Sequence, residues 1–416
     1  MEEIFRFNPW WATGRVPDGL LFEFKRDLFY KLIKQIETRQ IILLTGMRRV
    51  GKTVLIYQII NELLKKVNPK NILYFSFDVS RSKIDDILKI YHNEILNKEI
   101  GEERVYIFFD EIQKADDWAN KIKVYYDLYP MLKFFLTGSA SLILQKKSAE
   151  RFTLPILSFR EFLKMIGKEF DLSNPKLIAP QILPLFFDFI KKGGFPELTF
   201  EEDDEKIKMY FKNSVIDRII YKDLPLEFGL KDFELLENLL KLFFSSPGLM
   251  ISYENLSNQF NRDRRTIANY IHYLKYAMLI KILSNFRKGT LTSSRKNRKI
   301  YPSSTGFIFM ENMHKMTGEI LETFIINEIN PQNYFRKNQT EIDIILRKGD
   351  KIIPIECKLK ADKVSVRKFK KALKKLDVKE GYLITLEDFG EIKEDVSIKI
   401  MPAFYFVLAD AGKEFA

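Results

Sequence analysis

Eight consecutive residues, Gly46-Met47-Arg48-Arg49-Val50-Gly51-Lys52-Thr53, spell G-x-x-x-x-G-K-T, and their setting limits the folds open to this chain. The apolar run Ile41-Ile42-Leu43-Leu44 ahead of them suits a buried parallel strand. Val54 to Val67 behind them carries Leu55, Ile59 and Leu63 at helical spacing. The order is strand, glycine-bearing loop, helix. In that order the loop N–H groups curl around a β-phosphate, and the helix N-terminus adds partial positive charge. Gly46, Arg48, Arg49, Val50, Gly51 and Val54 form the expected cradle. Lys52 bridges the β- and γ-phosphates, a catalytic as well as a binding role, and Thr53 holds Mg²⁺ through its hydroxyl. The loop therefore predicts ATP and Mg²⁺ as cofactors.

A chain of 416 residues has room for two to four domains, and 46% hydrophobic with 30% charged residues is the composition of a folded soluble protein. No apolar run is long enough to span a bilayer, so no membrane partner is expected. The two glutamates after Met1 do not resemble a secretory signal. A single cysteine, Cys357, excludes an internal disulfide framework, and three scattered histidines argue against a zinc site. The cytoplasm is the expected compartment. The net charge of +12 and pI near 9.3 favour a polyanionic partner, although a biased genome or a hot habitat gives the same bulk charge.

A second apolar run, Val105 to Phe109, ends in Asp110-Glu111. Hydrophobic residues keep such a strand in a sheet while Asp110 reaches the Mg²⁺ shell from its C-terminal end. Glu111 is placed to polarise the attacking water. A third run, Leu132 to Leu136, leads into Thr137-Gly138-Ser139-Ala140-Ser141, where Thr137 or Ser139 is expected to sense the γ-phosphate; a plain glycine turn is the alternative. Arg151 is a candidate arginine finger. Acting in trans it requires a homo-oligomer, and on a lid it serves a monomer equally well. Arg48, Arg49 and Arg160 compete for phosphate or structural roles.

Asn8-Pro9-Trp10-Trp11, the loop GMRRVGKT, FFDEIQKADDW (Phe108–Trp118), FLTGSAS (Phe135–Ser141), LPILSFREFL (Leu154–Leu163) and Gly193-Gly194-Phe195-Pro196-Glu197 occur in one order. Together they resemble a prokaryotic and archaeal AAA-like ATPase family whose members carry a C-terminal domain with a restriction-endonuclase-like pattern. The resemblance covers nearly the whole chain. It implies a five-stranded parallel sheet with the strand order of the additional-strand P-loop ATPases, followed by a helical lid.

Residues 232 to 286 read as three helices and a strand, the winged-helix plan. Asp263 is a plausible N-cap for the third helix, whose apolar stripe (Ile267, Tyr270, Ile271, Leu274, Met278) leaves Arg264, Arg265, Asn269, His272 and Lys275 on the other side. Arg287 to Lys299 then holds Arg287, Lys288, Arg295, Lys296, Arg298 and Lys299 with no acidic residue. Such a wing or linker suits phosphate contact on double-stranded DNA; a protein-docking winged helix with a solvated basic loop is the competing reading.

Further on, two strand-like runs carry Asp343, Glu356 and Lys358, with twelve residues between the carboxylates. Alternation puts Glu356 and Lys358 on one face of their strand. The spacing matches the D-x(n)-E-x-K core of restriction-endonuclease-like folds, where the carboxylates hold Mg²⁺ and the lysine assists hydrolysis. Glu322, on the helix before them, stands where a third metal carboxylate is expected.

The expected architecture is thus α/β: an AAA-like P-loop core over residues 1–155, a helical lid over 156–229, a winged helix over 230–295 and a restriction-endonuclease-like domain over 296–416. The expected activity is ATP hydrolysis coupled to DNA binding, with DNA cleavage at the C-terminal site. The alternative is a signalling or scaffold ATPase whose last domain binds protein or nucleic acid without cutting.

Overall fold

Four apolar runs form strands with every residue buried: β1 (Ile41–Thr45), β2 (Ile72–Ser76), β3 (Val105–Asp110) and β4 (Leu132–Gly138). Strands covered on both faces need continuous apolar sequence, which these supply. A fifth, β5 (Ala149–Thr153), is only partly covered and lies at an edge. The order is β2-β3-β4-β1-β5, all parallel. The order implied by the resemblance is therefore present. It brings the C-terminal ends of β1, β3 and β4 side by side, where ligands bind in open parallel sheets.

The opposite edge, β2, is closed by the Asn-Pro-Trp-Trp segment. The Asn8 amide imitates a strand: its oxygen accepts from the Tyr74 N–H at 2.6 Å, and its nitrogen donates to the Tyr74 carbonyl at 2.8 Å. The indole N–H groups of Trp10 and Trp11 both donate to the Ile72 carbonyl, at 3.1 and 2.8 Å. These contacts occupy backbone groups that would otherwise invite edge pairing.

The computed structural model describes residues 2–79, 82–96, 103–138, 148–287, 294–311, 315–349 and 351–409. They divide into two units, Met1–Pro155, which holds the parallel sheet, and Ile156–Ala416. No helix among the described residues is long and apolar enough to cross a membrane.

The second unit is built on one mixed sheet of nine strands: β6 (Leu249–Ile251), β7 (Ile280–Asn285), β8 (Ser294–Pro302), β9 (Asn333–Lys337), β10 (Thr340–Lys348), β11 (Lys351–Cys357), β12 (Glu380–Thr385), β13 (Gly390–Lys393) and β14 (Ser397–Pro402). Their order is β13-β14-β12-β11-β10-β9-β7-β8-β6. Helices Phe233–Ser245, Tyr253–Phe260 and Arg264–Tyr276 accompany the β6-β8-β7 end. Asp263 caps the last of them, accepting from Arg265 N and Thr266 N at 2.9 and 3.0 Å. The β7–β9 junction is short, and Asn285 extends it: its amide donates to the Arg336 carbonyl and accepts from the Arg336 N–H, both at 2.9 Å.

Two expectations change here. The boundary placed between 295 and 296 falls inside β8, a strand paired on both sides, so residues 294–299 of the segment read as a wing or linker belong to the sheet. The helices of 156–229, read as a lid on the ATPase core, group with the second unit instead. Close packing fastens them there. Ser304 Oγ donates to the Gly193 carbonyl at 2.8 Å, and Thr305 Oγ1 to the Ile190 carbonyl at 2.7 Å. Gly193 has φ of 59° at the end of helix Pro175–Lys192, and a Cβ there would stand 2.7 Å from the Gly306 nitrogen.

Replacing Asn8 with alanine strands the Tyr74 N–H and carbonyl at a buried edge. We expect Asn8→Ala to lower stability by about 2 kcal/mol, read as a reduced urea midpoint with unchanged slope.

Candidate functional site

The loop after β1 turns through left-handed backbone at Arg49 (φ 69°) and Gly51 (φ 97°). Gly46 is required by close approach, because a Cβ there would lie 2.7 Å from the Leu154 carbonyl oxygen. Lys52 begins helix Lys52–Leu63 and is buried. Its ammonium donates to the carbonyls of Gly46 (2.9 Å) and Met47 (3.2 Å) and stands 3.7 Å from Glu111 Oε1. Buried Arg26 braces the same loop, donating to the Val50 carbonyl at 3.1 Å and the Pro155 carbonyl at 2.9 Å. Sequence reasoning missed Arg26, since no motif marks a residue so far upstream. Arg48 approaches Asp78 at 3.8 Å, Arg49 is exposed, and Val54 is half-buried in the first helical turn.

Asp110, at the end of β3, is buried and gathers hydroxyls from three elements. It accepts from Thr53 Oγ1 at 2.7 Å, from the Tyr74 phenol at 3.2 Å and from the Thr137 hydroxyl. Burial pushes its pKa up and nearby Glu111 adds to this, against the Thr137 and Thr53 hydrogen bonds and the Lys52 charge. A buried carboxylate beside a hydroxyl is a pair of hard oxygens, and Thr53 with Asp110 fits Mg²⁺ on that ground. Glu111 has φ of 53°, an uncommon conformation for a residue with a side chain. Its N–H donates to Thr137 Oγ1 at 3.2 Å and its Oε2 accepts from Gln113 at 2.6 Å.

Thr137 is fully buried, with its hydroxyl engaged on both sides inside the protein, an internal brace where a γ-phosphate sensor was expected. Ser139 lies outside the described residues. Arg151 is exposed on β5 in register with Leu43, three positions before the loop begins. Arg160 belongs to the second unit, where it donates to the carbonyls of Val407 and Leu408; its role there is structural.

A second cluster forms where β10 and β11 pair as an antiparallel hairpin. The Asp343 N–H donates to Glu356 Oε2 at 3.3 Å, and the Lys358 ammonium lies 2.8 Å from Glu356 Oε1 and 3.2 Å from Asp343 Oδ2. Lys299 enters from β8: its ammonium is 2.5 Å from Glu341 Oε1, 3.5 Å from Glu322 Oε1 and 3.9 Å from Asp343 Oδ1. The Tyr301 hydroxyl donates to Glu322. Tyr301 and Glu341 are site residues that the sequence did not single out. Lys299 was grouped with phosphate-tracking cations, yet it is buried among carboxylates.

The expected metal trio is also corrected. Among the described residues no group of three or more His, Cys, Asp or Glu is arranged to hold a metal ion. Glu322, Asp343 and Glu356 do not form such a group, and the ammonium groups of Lys299 and Lys358 stand among them. Burial, then Asp343, pushes Glu322 up to about 7 and Glu356 up to about 8. Burial works against charge on Lys358 and Lys299, but the surrounding carboxylates outweigh it and hold both protonated.

The expected DNA-contacting residues divide. Lys275, Arg287 and Arg298 line one cleft of the second unit. Arg264 is exposed at the start of helix Arg264–Tyr276 and pairs with Glu254 at 2.6 Å; Arg265 beside it is exposed. Lys288, and the side chains of Arg295 and Lys296, lie outside what the structure describes.

Residues 38–163 match the model of an AAA domain, residues 183–312 a domain of unknown function (DUF8612) and residues 317–405 another (DUF4143). The chain is 30% identical over 406 residues to uncharacterized protein MJ1544 of Methanocaldococcus jannaschii, spanning 90% of this chain and 87% of that one. It is 31% identical over 301 residues to MJ1637 of the same organism, spanning 65% and 62%. Among solved structures it overlaps the Aeropyrum pernix ORC1 protein in complex with DNA (TM-score 0.35, 12% identity, 73% of this chain and 96% of that). It also overlaps a Pyrococcus horikoshii signal transduction ATPase with numerous domains (TM-score 0.28, 12% identity, 76% and 46%). Both overlaps are shallow. With the AAA match and the parallel sheet, the first unit is an AAA-like P-loop ATPase domain.

Gly46→Ala forces the loop away from Leu154, and nucleotide affinity is expected to fall by about tenfold or more in calorimetric titration. The acid cluster gives a pH signature. Above the ordinary glutamate value of 4.5 and up to about 7 to 8, the folded state retains protons that the unfolded chain has released. Stability therefore declines as pH rises through that window, by several kcal/mol. Glu322→Gln/Glu356→Gln should flatten the decline, measured as urea midpoints from pH 5 to 8.5.

Proposed function

The chain belongs to the family of the Methanocaldococcus jannaschii protein MJ1544, and we propose that it binds and hydrolyses Mg²⁺-ATP in its first unit and contacts double-stranded DNA through its second. One observation carries the ATPase reading: Lys52, the Thr53–Asp110 pair and Glu111 meet at the C-terminal ends of β1 and β3, on either side of β4. Lys52 exchanges the carbonyls of Gly46 and Met47 for phosphate oxygens. Thr53 and Asp110 would hold Mg²⁺, which supplies charge neutralisation across the β- and γ-phosphates. Glu111, oriented by Gln113, positions the attacking water and accepts its proton.

Support for DNA contact comes from the β6-β8-β7 end of the sheet. Three helices followed by an antiparallel pair, with the first short strand joined beside β8, fit a winged helix. Arg264 and Arg265 stand at the exposed N-terminal end of its third helix, the end that reads a major groove in such folds. Arg151, exposed on an edge strand, is available to a second copy of the chain.

A second reading, DNA cleavage, is favoured by the meeting of Asp343, Glu356 and Lys358 on a restriction-endonuclease-like hairpin. Against it, Lys299, which that pattern does not call for, also stands among the carboxylates. This weighs towards a unit that binds without cutting.

Steady-state Mg²⁺-ATP turnover, with and without duplex DNA, tests the proposal. Lys52→Ala should lower turnover by about 100-fold, and Glu111→Gln should abolish it while retaining ATP binding. Turnover indifferent to duplex DNA, together with no shift of duplex in a binding assay, would sink the DNA reading. Mg²⁺- or Mn²⁺-dependent nicking that disappears in Asp343→Ala would establish the second reading.

A further inference from the structure

Arg298 and Lys299 are neighbours on β8, so alternation sends them to opposite faces of the sheet. Lys299 meets the carboxylates. Arg298 faces a separate cleft of about 380 Å³, bounded by the helices Tyr253–Phe260 and Arg264–Tyr276, by β7 and β8, and by parts of β9 and β10. Its charged lining is Lys275, Arg287, Arg298 and Arg347, joined by His272, and among the described residues none that line it is acidic. This is unusual in a chain with 56 acidic residues. On helix Lys363–Leu376, by contrast, Lys370 and Lys374 both pair with Asp395. None of the four cleft cations pairs with a carboxylate among the described residues.

The cleft is also prearranged. Arg298 donates to the Tyr253 hydroxyl at 2.9 Å, with its guanidinium 6.0 Å from the Tyr253 ring centre, a neutral anchor that orients the charge without cancelling it. Four like charges in one concavity repel each other, and a polyanion relieves that repulsion. The Gln332 and Asn333 amides and the Ser284 hydroxyl add neutral hydrogen-bonding groups, and Ala268 and Ile271 an apolar wall. A volume near 380 Å³ lies at the small end of ligand pockets and is of the size that admits one nucleotide.

We propose that this cleft binds a single phosphorylated nucleotide unit, its phosphate held by Lys275, Arg287, Arg298 and Arg347. The unit is either a free mononucleotide or the phosphorylated end of a nucleic-acid strand. In the second case the inference deepens the DNA reading above; in the first it stands without it.

The test uses full-length Lys52→Ala protein without Mg²⁺, so that the loop after β1 contributes little. Fluorescence anisotropy follows a 3′-labelled single-stranded decanucleotide with a 5′-phosphate or a 5′-hydroxyl, and AMP and adenosine are titrated as competitors. A closed hairpin duplex without free ends is measured in parallel. Preference for the 5′-phosphate strand by about tenfold, lost in Lys275→Ala/Arg347→Ala, assigns the cleft to strand ends. Binding of AMP over adenosine by a similar factor, with the two strands bound alike, assigns it to free nucleotides. Both altered residues are exposed, and an unchanged circular dichroism melt verifies the fold. Equal binding of the two strands together with no preference for AMP overturns the proposal, as does a preference that survives the double substitution. The closed hairpin keeps the readings apart: its binding depends on Arg264 and Arg265 if the DNA reading holds, whatever the cleft does.

Discussion

Asp110 has its carboxylate withdrawn from water at the end of β3, and three hydroxyls from different parts of the first unit close around it. Thr53 comes from the helix after the loop, Tyr74 from β2 and Thr137 from β4. A buried carboxylate without donors costs several kcal/mol, so satisfying this one fixes how far each of those elements extends. The same contact ties together the places where phosphate, cation and water would meet. Thr137 passes the constraint on, because its oxygen also accepts the Glu111 N–H and so helps hold that residue in left-handed backbone. The geometry needed for hydrolysis and the satisfaction of one buried charge are therefore a single arrangement.

The second unit solves the same problem with opposite charges. Glu322, Glu341, Asp343 and Glu356 approach one another from a helix and two strands, and Lys299 and Lys358 stand among them. Arg336 adds a third cation, 3.5 Å from Glu341 Oε2, and four carboxylates against three cations still leave a deficit of positive charge. Burial first, and Asp343 after it, raise the pKa values of Glu322 and Glu356, and a retained proton lowers the charge of the cluster. The opposite face of β8 carries the inverse imbalance, with Arg298 among cations that pair with no carboxylate among the described residues. One strand thus separates an acidic cluster from a basic cleft, and its alternation keeps the two from neutralising each other.

What could be read from sequence was what lies close along the chain. Residues 46–53 declared a strand, loop and helix because all three parts adjoin, and the strands ending in Asp110 and Thr137 were legible as apolar runs with polar ends. The pairing of Asp343 with Glu356 was legible too, because a hairpin brings the two strands together over a short connection. The Asn-Pro-Trp-Trp segment was visible as a motif, but its use was not: the strand edge it closes is more than sixty residues away.

The sequence by itself determined the P-loop element, the buried strands around it and the residue types available for ATP chemistry, because local spacing and hydrophobic pattern encode them. Tertiary structure alone decided that Arg26 braces the loop, that the helices of 156–229 join the second unit, and that Lys299 lies with carboxylates while Arg298 faces a cleft. The physical reason is that a side chain's partner depends on which strand lies beside its own and in what register. Six basic residues in one segment look alike in sequence; only pairing of β8 on both sides sends adjacent ones into opposite electrostatic surroundings.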